Sequence, residues 1–189
     1  MLEVDETSLP NSLVQQVSLY FKYLDLFEWD NGGVENVVFW ERPSRFDQLV
    51  RDFQAVTQDL AYELIAPIEA RGFLLAGLIA KETHTPIFPI RKFKPFYERF
   101  PGVKVGFKNW KGKQEAIFLF SRDHCIGRRV LIVDDLIETG NSLEAAVKGL
   151  SSLGSIPIGA FYLCDVMDEE RREKFSIPIR SFVKRSGVL

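Results

Sequence analysis

Residues 130–142 read Val-Leu-Ile-Val-Asp-Asp-Leu-Ile-Glu-Thr-Gly-Asn-Ser. Four apolar residues in a row suit a strand buried on both faces, as in a parallel sheet. Asp134 and Asp135 then set two carboxylates where burial should end, and Thr139-Gly140-Asn141-Ser142 stands where a helix should begin. The first N–H groups of a helix have no partners within it, and small residues let the backbone curl around an anion, so a phosphate is the natural occupant of that turn. Two carboxylates beside a phosphate cradle would repel the ligand unless it carries hydroxyl groups between its phosphate and a cationic centre or metal ion. A phosphorylated sugar meets that description. The plainer alternative is a strand that merely ends in two aspartates, with Asn141 or Ser142 capping a surface helix.

The rest of the chain supplies a frame for that block. Leu13, Val14, Val17, Tyr20, Phe21 and Leu24 recur at helical spacing behind the cap and proline signals of residues 8–11, and Asn31-Gly32-Gly33 ends that helix. Val37-Val38-Phe39-Trp40 reads as a short strand. A helix opening near Pro43-Ser44 follows, with Phe46, Leu49, Val50, Phe53, Val56 and Leu60 on one face. Strands are expected at 64–68, 86–90, 116–120, 130–133 and 156–163, helices at 73–81 and 142–153, and a tight loop at 69–72. Strands separated by helices give an α/β fold, a mainly parallel twisted sheet flanked by helices, with ligands bound at the carboxyl ends of the strands. At 189 residues the chain is expected to form a single domain, 1–189.

Charge and composition narrow the partners. A net charge of -2 gives no global case for nucleic acid, so any polyanion bound near the basic stretch between Arg91 and Lys113 is a small one. Cys125 and Cys164 fall in or near apolar segments without metal-ligand spacing, which points to free core thiols. No apolar run approaches the roughly 18 residues of a membrane helix, and Met1 is followed by acidic Glu3, Asp5 and Glu6. A cytoplasmic protein without membrane attachment is expected.

At this point the sequence resembles a family. The block at 130–142 is similar to the ribose-pyrophosphate signature of type I phosphoribosyltransferases, and the likeness runs from about Glu63 to Val183. Within that family the likeness is greatest to the adenine phosphoribosyltransferases. Glu69-Ala70-Arg71-Gly72-Phe73 matches their pyrophosphate loop, and Pro89-Ile90-Arg91-Lys92 matches a Pro-Val-Arg-Lys strand end. The resemblance implies transfer of a 5-phosphoribosyl group from phosphoribosyl pyrophosphate (PRPP) to a nucleobase nitrogen. Glu138, Thr139, Gly140, Asn141 and Ser142 would hold the 5′-phosphate. Asp134 and Asp135 would bind the ribose hydroxyls and favour the positive charge that develops as the bond to pyrophosphate loosens. Ala70, Arg71 and Gly72, in a loop that often carries a cis peptide in this family, would contact the pyrophosphate together with Arg91 and Lys92. Mg²⁺ would arrive on PRPP with no direct protein ligand, Asp134 or Asp135 reaching it through water. Residues 1–42 would contribute a hood, with Val38 and Phe39 stacking the base, and residues 91–114 a flexible flap. The family is commonly homodimeric.

Three departures bear on the base. The hood reads Phe39-Trp40-Glu41 where adenine enzymes have Phe-Arg-Asp or Phe-Lys-Asp. Their flap carries Glu-Ser-Tyr, which has no counterpart between Arg91 and Lys113. Glu138 stands where adenine enzymes have a small residue and hypoxanthine/guanine enzymes an aspartate, and its crowded carboxyl suits a general acid or base. Hypoxanthine, guanine, xanthine or orotate therefore stay open as alternatives to adenine. A PRPP-sensing transcriptional regulator, or an interaction module with a vestigial site, stays open as well. A regulator would add a DNA-binding segment, whereas the first helix here runs into Asn-Gly-Gly. His84 and His124 receive no role.

Overall fold

The computed structural model describes residues 11–30, 33–109 and 111–185. The expectations that fell on residues 8–10, on Asn31-Gly32 and on Trp110 in the flap lie outside the described residues. In chain order the elements are α1 (Asn11–Tyr23), β1 (Glu28–Asp30), β2 (Gly33–Glu35), α2 (Val37–Trp40), α3 (Phe46–Thr57), β3 (Leu64–Pro67) and α4 (Arg71–Thr83). There follow β4 (Arg91–Lys92), β5 (Gly102–Lys108), β6 (Gln114–Phe120), β7 (Arg129–Ile137), α5 (Asn141–Ser152), β8 (Ile156–Asp165), α6 (Glu169–Arg172) and β9 (Ile179–Lys184).

The expected α/β architecture is present. Strands β3, β7, β8 and β9 form a parallel sheet in the order β3-β7-β8-β9. Alternation along its central strands divides the interior in two. Leu131, Val133, Phe161 and Leu163 face α3 and α4, where Phe53, Leu75 and Ile79 are fully buried. Val130, Ile132, Ala160 and Tyr162 face the other way, onto Leu143, Ala146 and Leu150 of α5. Each of the buried Val, Leu, Ile and Phe side chains among them stabilises the fold by about 1.5–3 kcal/mol through burial. Burial on both faces explains why β7 reads as an unbroken apolar run.

The run 86–90 lies parallel to β3 without forming a regular strand, touching it only through the Ile65–Ile87 and Ile68–Ile90 bridges. Pro86 and Pro89 have no N–H to offer a ladder, so the segment stays at the sheet edge. Strand β7 runs on past the two aspartates to Ile137, because β8 continues to pair beside it at Leu136–Cys164 and Ile137–Asp165. Residues 37–40 form a helical turn rather than the expected strand: Glu41 N–H donates to the Val37 carbonyl at 3.3 Å, and Phe39 is fully buried. Burying Phe39 against Trp40 and Phe46 overrides the β propensity of the segment.

Segment 91–114 contains β4, β5 and the first residue of β6, which build an antiparallel sheet in the order β4-β6-β5. Its inner face, Val105, Ile117 and Leu119, closes over α5. The end of β5 lies beside the β7–α5 turn, where the Lys108 carbonyl meets Asn141. His84 ends α4 in the left-handed conformation, its N–H donating to the Ala80 carbonyl at 2.9 Å. Cys125 and Cys164 are free and buried, and burial pushes the Cys164 thiol up to about 12. Among the described residues, no helix is long and apolar enough to cross a membrane.

The contact of α5 with the hairpin is tight at Gly149, where a Cβ would stand 2.5 Å from Leu119 Cδ1. Gly149→Val is expected to lower unfolding free energy by about 1–3 kcal/mol in chemical denaturation, the usual result of overpacking. An unchanged midpoint would mean that α5 and β6 do not pack in this way.

Candidate active site

The carboxyl ends of β3 and β7 open into a cleft of about 260 Å³. Asp134, Asp135, Leu136 and residues 138–142 form its floor; one wall is the 68–71 loop with Lys92, and the other is the hairpin, through Phe107, Lys108, Asn109, Glu115 and Ile117. The three sequence motifs therefore converge on one space. A separate hollow of about 390 Å³, lined by Gln15, Gln16, Gln58, Asp59, Arg180 and others, gathers none of them.

The β7–α5 turn has the shape expected of an anion cradle. Gly140 sits at φ 76°, backed closely by Phe175 and Met167, so that an added Cβ would fall 2.8 Å from Phe175. A glycine there lets the chain turn left-handed into α5 and leaves the first N–H groups of the helix facing the cleft. Thr139 Oγ1 accepts from the Asn141 N–H at 3.4 Å. The Asn141 side chain caps nothing; its Nδ2 donates to the Lys108 carbonyl at 2.8 Å and fastens the cradle to the hairpin tip.

The two aspartates are unlike. Asp135 continues the alternation of Leu131 and Val133 and is buried, its Oδ2 accepting from Asn36 Nδ2 at 2.7 Å and lying 2.9 Å from Arg71 Nε. Asp134 has the Asp135 N–H on its Oδ1 at 3.0 Å, and burial together with the Asp135 charge holds its carboxyl well above the ordinary aspartate range. Glu138, partly exposed in the cleft, is also raised, by burial and again by Asp135. The floor is thus crowded with negative charge that a partly cationic ligand or a metal ion would relieve.

In the 69–72 loop, the Glu69–Ala70 peptide is cis. Gly72 allows the start of α4 to lie against β7, since a Cβ there would be 2.8 Å from the Val133 carbonyl oxygen and 3.0 Å from Asp134 Oδ1. Arg71 lines the cleft with its guanidinium bound by Asp135, by Glu35 and by Asn36 Oδ1 at 3.1 Å; burial would lower its pKa, but these carboxylates raise it. Arg91 is held by Glu69, Nε to Oε2 at 2.9 Å, and its guanidinium lies over Phe73 and Tyr97. The Lys92 N–H also donates to Glu69, at 2.8 Å, and of the two basic residues it is Lys92 that lines the cleft. Burial pushes the Glu69 carboxyl up, but these contacts outweigh it and hold it below its usual range.

Of the hood residues expected at the base, Val38 is partly exposed and Phe39 fully buried, and neither lines the cleft. The hood instead reaches the site through Glu35 and Asn36. Sequence reasoning places Glu69 and Leu136 inside its motifs without a role of their own and does not single out Glu35, Asn36, Asn109 or Glu115, whose signals are ordinary until the fold brings them together.

Comparison with known proteins gives the same picture. The phosphoribosyl transferase domain family matches residues 48–183. The adenine phosphoribosyltransferase of Mesorhizobium japonicum is 33% identical over 144 residues, covering 75% of this chain and 76% of that protein. The solved adenine phosphoribosyltransferase from Rhodothermus marinus shares the fold at a TM-score of 0.76 and 18% identity, covering 89% of this chain and 99% of that one. The Saccharomyces cerevisiae enzyme, solved with D-2,5-dideoxy-2,5-imino-altritol 1,6-bisphosphate and adenine, superposes at a TM-score of 0.73 and 20% identity, covering 88% and 99%.

The crowding of Asp134 predicts a gain in stability when its charge is removed. A carboxyl raised in the folded state favours folding below its unfolded pKa and loses that contribution as pH rises through the folded value. Asp134→Asn is therefore expected to raise the melting temperature at pH 7–8 by roughly 2–4 °C, the shift that about 1 kcal/mol gives in a chain of this size. The gain should vanish near pH 4, about the unfolded pKa of aspartate; a gain equal at both pH values would contradict the crowding.

Proposed function

Because this chain belongs to the phosphoribosyltransferase family, we propose that it transfers the 5-phosphoribosyl group of PRPP to a purine, adenine by preference, yielding a nucleoside 5′-monophosphate and pyrophosphate in purine salvage. The observation that carries this reading is the convergence of cradle, carboxylate pair and 69–72 loop on one cleft at the strand ends.

In this reading the 5′-phosphate rests on the backbone N–H groups of residues 138–142 and the hydroxyls of Thr139 and Ser142. Asp134 and Asp135 accept the ribose hydroxyls, and their negative charge stabilises the positive charge on the sugar as its bond to pyrophosphate lengthens. Asn36 Nδ2 and Arg71 Nε both meet Asp135 at Oδ2. The leaving pyrophosphate meets the backbone of Ala70, Arg71 and Gly72 and the ammonium of Lys92. Arg91 acts one step back, fixing the loop through Glu69. The crowded carboxylates of Asp134 and Asp135 suit a Mg²⁺ ion brought in on PRPP and reached through water; when bound, it neutralises the pyrophosphate charge. The base enters between Leu136 and the hairpin, with Phe107 and Ile117 offering apolar walls. Val38 and the α2 backbone bring the hood to that side while Phe39 anchors it in the core. Flexing of segment 91–114 would admit substrates and then exclude water. Exposed Phe21, Phe96 and Phe100 offer apolar area for pairing as a homodimer, and the free buried thiols suit a cytoplasmic protein.

The test is pyrophosphate release from PRPP and Mg²⁺ with adenine, hypoxanthine, guanine, xanthine, orotate and uracil offered separately. Release is expected to be fastest with adenine. Preference for a 6-oxopurine would move the assignment to that substrate class, and PRPP binding without turnover of any base would support a sensing regulator. For Glu138, whose raised carboxyl can give a proton to the base, Glu138→Gln is expected to lower kcat by about ten-fold or more. The variant should also lose the limb of the pH–rate profile that falls as pH rises through the glutamate's raised pKa. An unchanged rate and profile would exclude the role.

A further inference from the structure

Asn36 lies between β2 and α2 and is 2% exposed. An asparagine directly before a helix ordinarily caps it, yet the Asn36 side chain makes no cap bond to α2. Its polar atoms are used elsewhere. Oδ1 accepts from Arg71 Nη1 and from Trp40 Nε1, each at 3.1 Å, and Nδ2 donates to Asp135 Oδ2 at 2.7 Å. The two donors fix the oxygen and the carboxylate fixes the nitrogen, so the amide has one orientation that satisfies all three partners. No other side chain of this size does the same work. An aspartate would face Asp135 with a second negative charge, and a leucine would leave an arginine, an indole and a buried carboxylate each short of a partner.

The three partners belong to three parts of the site: the pyrophosphate loop, the strand end that meets the ribose, and the hood. We propose that Asn36 is a positioning residue for the transfer reaction. It holds Arg71 and Asp135 at a fixed separation and angle and ties the pair to Trp40, so that the grip on PRPP and the placement of the base-side hood change together. The inference rests on the reading of the cleft as a PRPP site. It goes further by making the N-terminal segment part of the PRPP-binding apparatus rather than a cover for the base alone. The Arg71–Glu35 contact also joins loop and hood, and the Asn36 amide adds to it by bonding Arg71, Asp135 and Trp40 at once.

The test compares wild type with Asn36→Leu, which keeps the branching and the number of side-chain heavy atoms and removes all three bonds. Calorimetric affinity for PRPP with Mg²⁺ is the primary readout, because it does not depend on which base is turned over. Steady-state kinetics with PRPP and base varied separately is the second. Folded Asn36→Leu, measured well below its own melting temperature, is expected to bind PRPP at least ten-fold more weakly and to show a raised KM for the base as well as for PRPP. A lowered melting temperature with unchanged PRPP affinity and unchanged KM values would make Asn36 a structural tie only and overturn the proposal. If Asn36→Leu does not fold, Trp40→Phe decides: it keeps an aromatic ring and deletes the indole N–H that helps to fix the Asn36 amide. A two- to five-fold loss of PRPP affinity with a similar rise in the KM for the base supports coupling, and no change in PRPP affinity overturns it. Wild-type protein that binds no PRPP would overturn the reading of the cleft itself, a result distinct from an Asn36→Leu variant that binds as well as wild type.

Discussion

The contact between Arg71 Nε and Asp135 Oδ2, 2.9 Å long, joins segments that the chain keeps far apart. Asp135 belongs to the sheet; Arg71 opens the helix that crosses behind it. With Asp135 withdrawn from water, leaving its carboxylate unpaired would be costly, so the ion pair fixes where α4 may begin relative to β7. The remainder of the site is built outward from that fixed point. The 69–72 loop must approach β7 closely enough that only a glycine fits at position 72, and the hood must come down far enough for Asn36 and Glu35 to complete the arginine's bonds.

What results is a floor that is electrostatically unfinished. Asp134, Asp135 and Glu138 crowd one end of the sheet, and Arg71 compensates only part of their charge. Arg91 is turned to Glu69, while Lys92 and Lys108 line the cleft walls on either side of the acidic floor. Such a site disfavours a bare anion at its centre and favours a ligand with hydroxyl groups or positive charge there and phosphates at its two ends. This distribution is also what a reaction through a cationic sugar requires, since the site is already arranged for charge that appears only as the bond breaks.

The parallel core was legible because burial on both faces leaves a strong mark: the apolar runs of β3, β7 and β8 and the helix between the last two were placed within a few residues. The cradle was legible for a similar reason, small residues at a strand-to-helix turn having few other uses. Other features escaped for identifiable causes. Residues 37–40 carry β-forming side chains, but a helical turn buries Phe39 better. Strand β5 does show alternation, Val103, Val105 and Phe107 against Lys104, Gly106 and Lys108, but it is short and set among further lysines and aromatics that blur the period. The hairpin of β1 and β2 and the short strand β9 have too few residues for a period to emerge. Asn36 could not be found at all from sequence, because an asparagine before a turn is among the commonest local signals, and its three partners are contributed by the fold.

The central claim is that one cleft takes an activated pentose, gripping its hydroxyls with the acidic pair and its terminal phosphate with the turn that follows. A crystal structure of the protein grown with Mg²⁺ and PRPP tests this most directly. The account predicts density for the 5′-phosphate within hydrogen-bonding distance of the N–H groups of residues 139–142, ribose hydroxyls on Asp134 and Asp135, and pyrophosphate against residues 70–72. PRPP bound elsewhere, or a cleft in which both aspartates stay engaged with protein and leave the sugar no room, would contradict it.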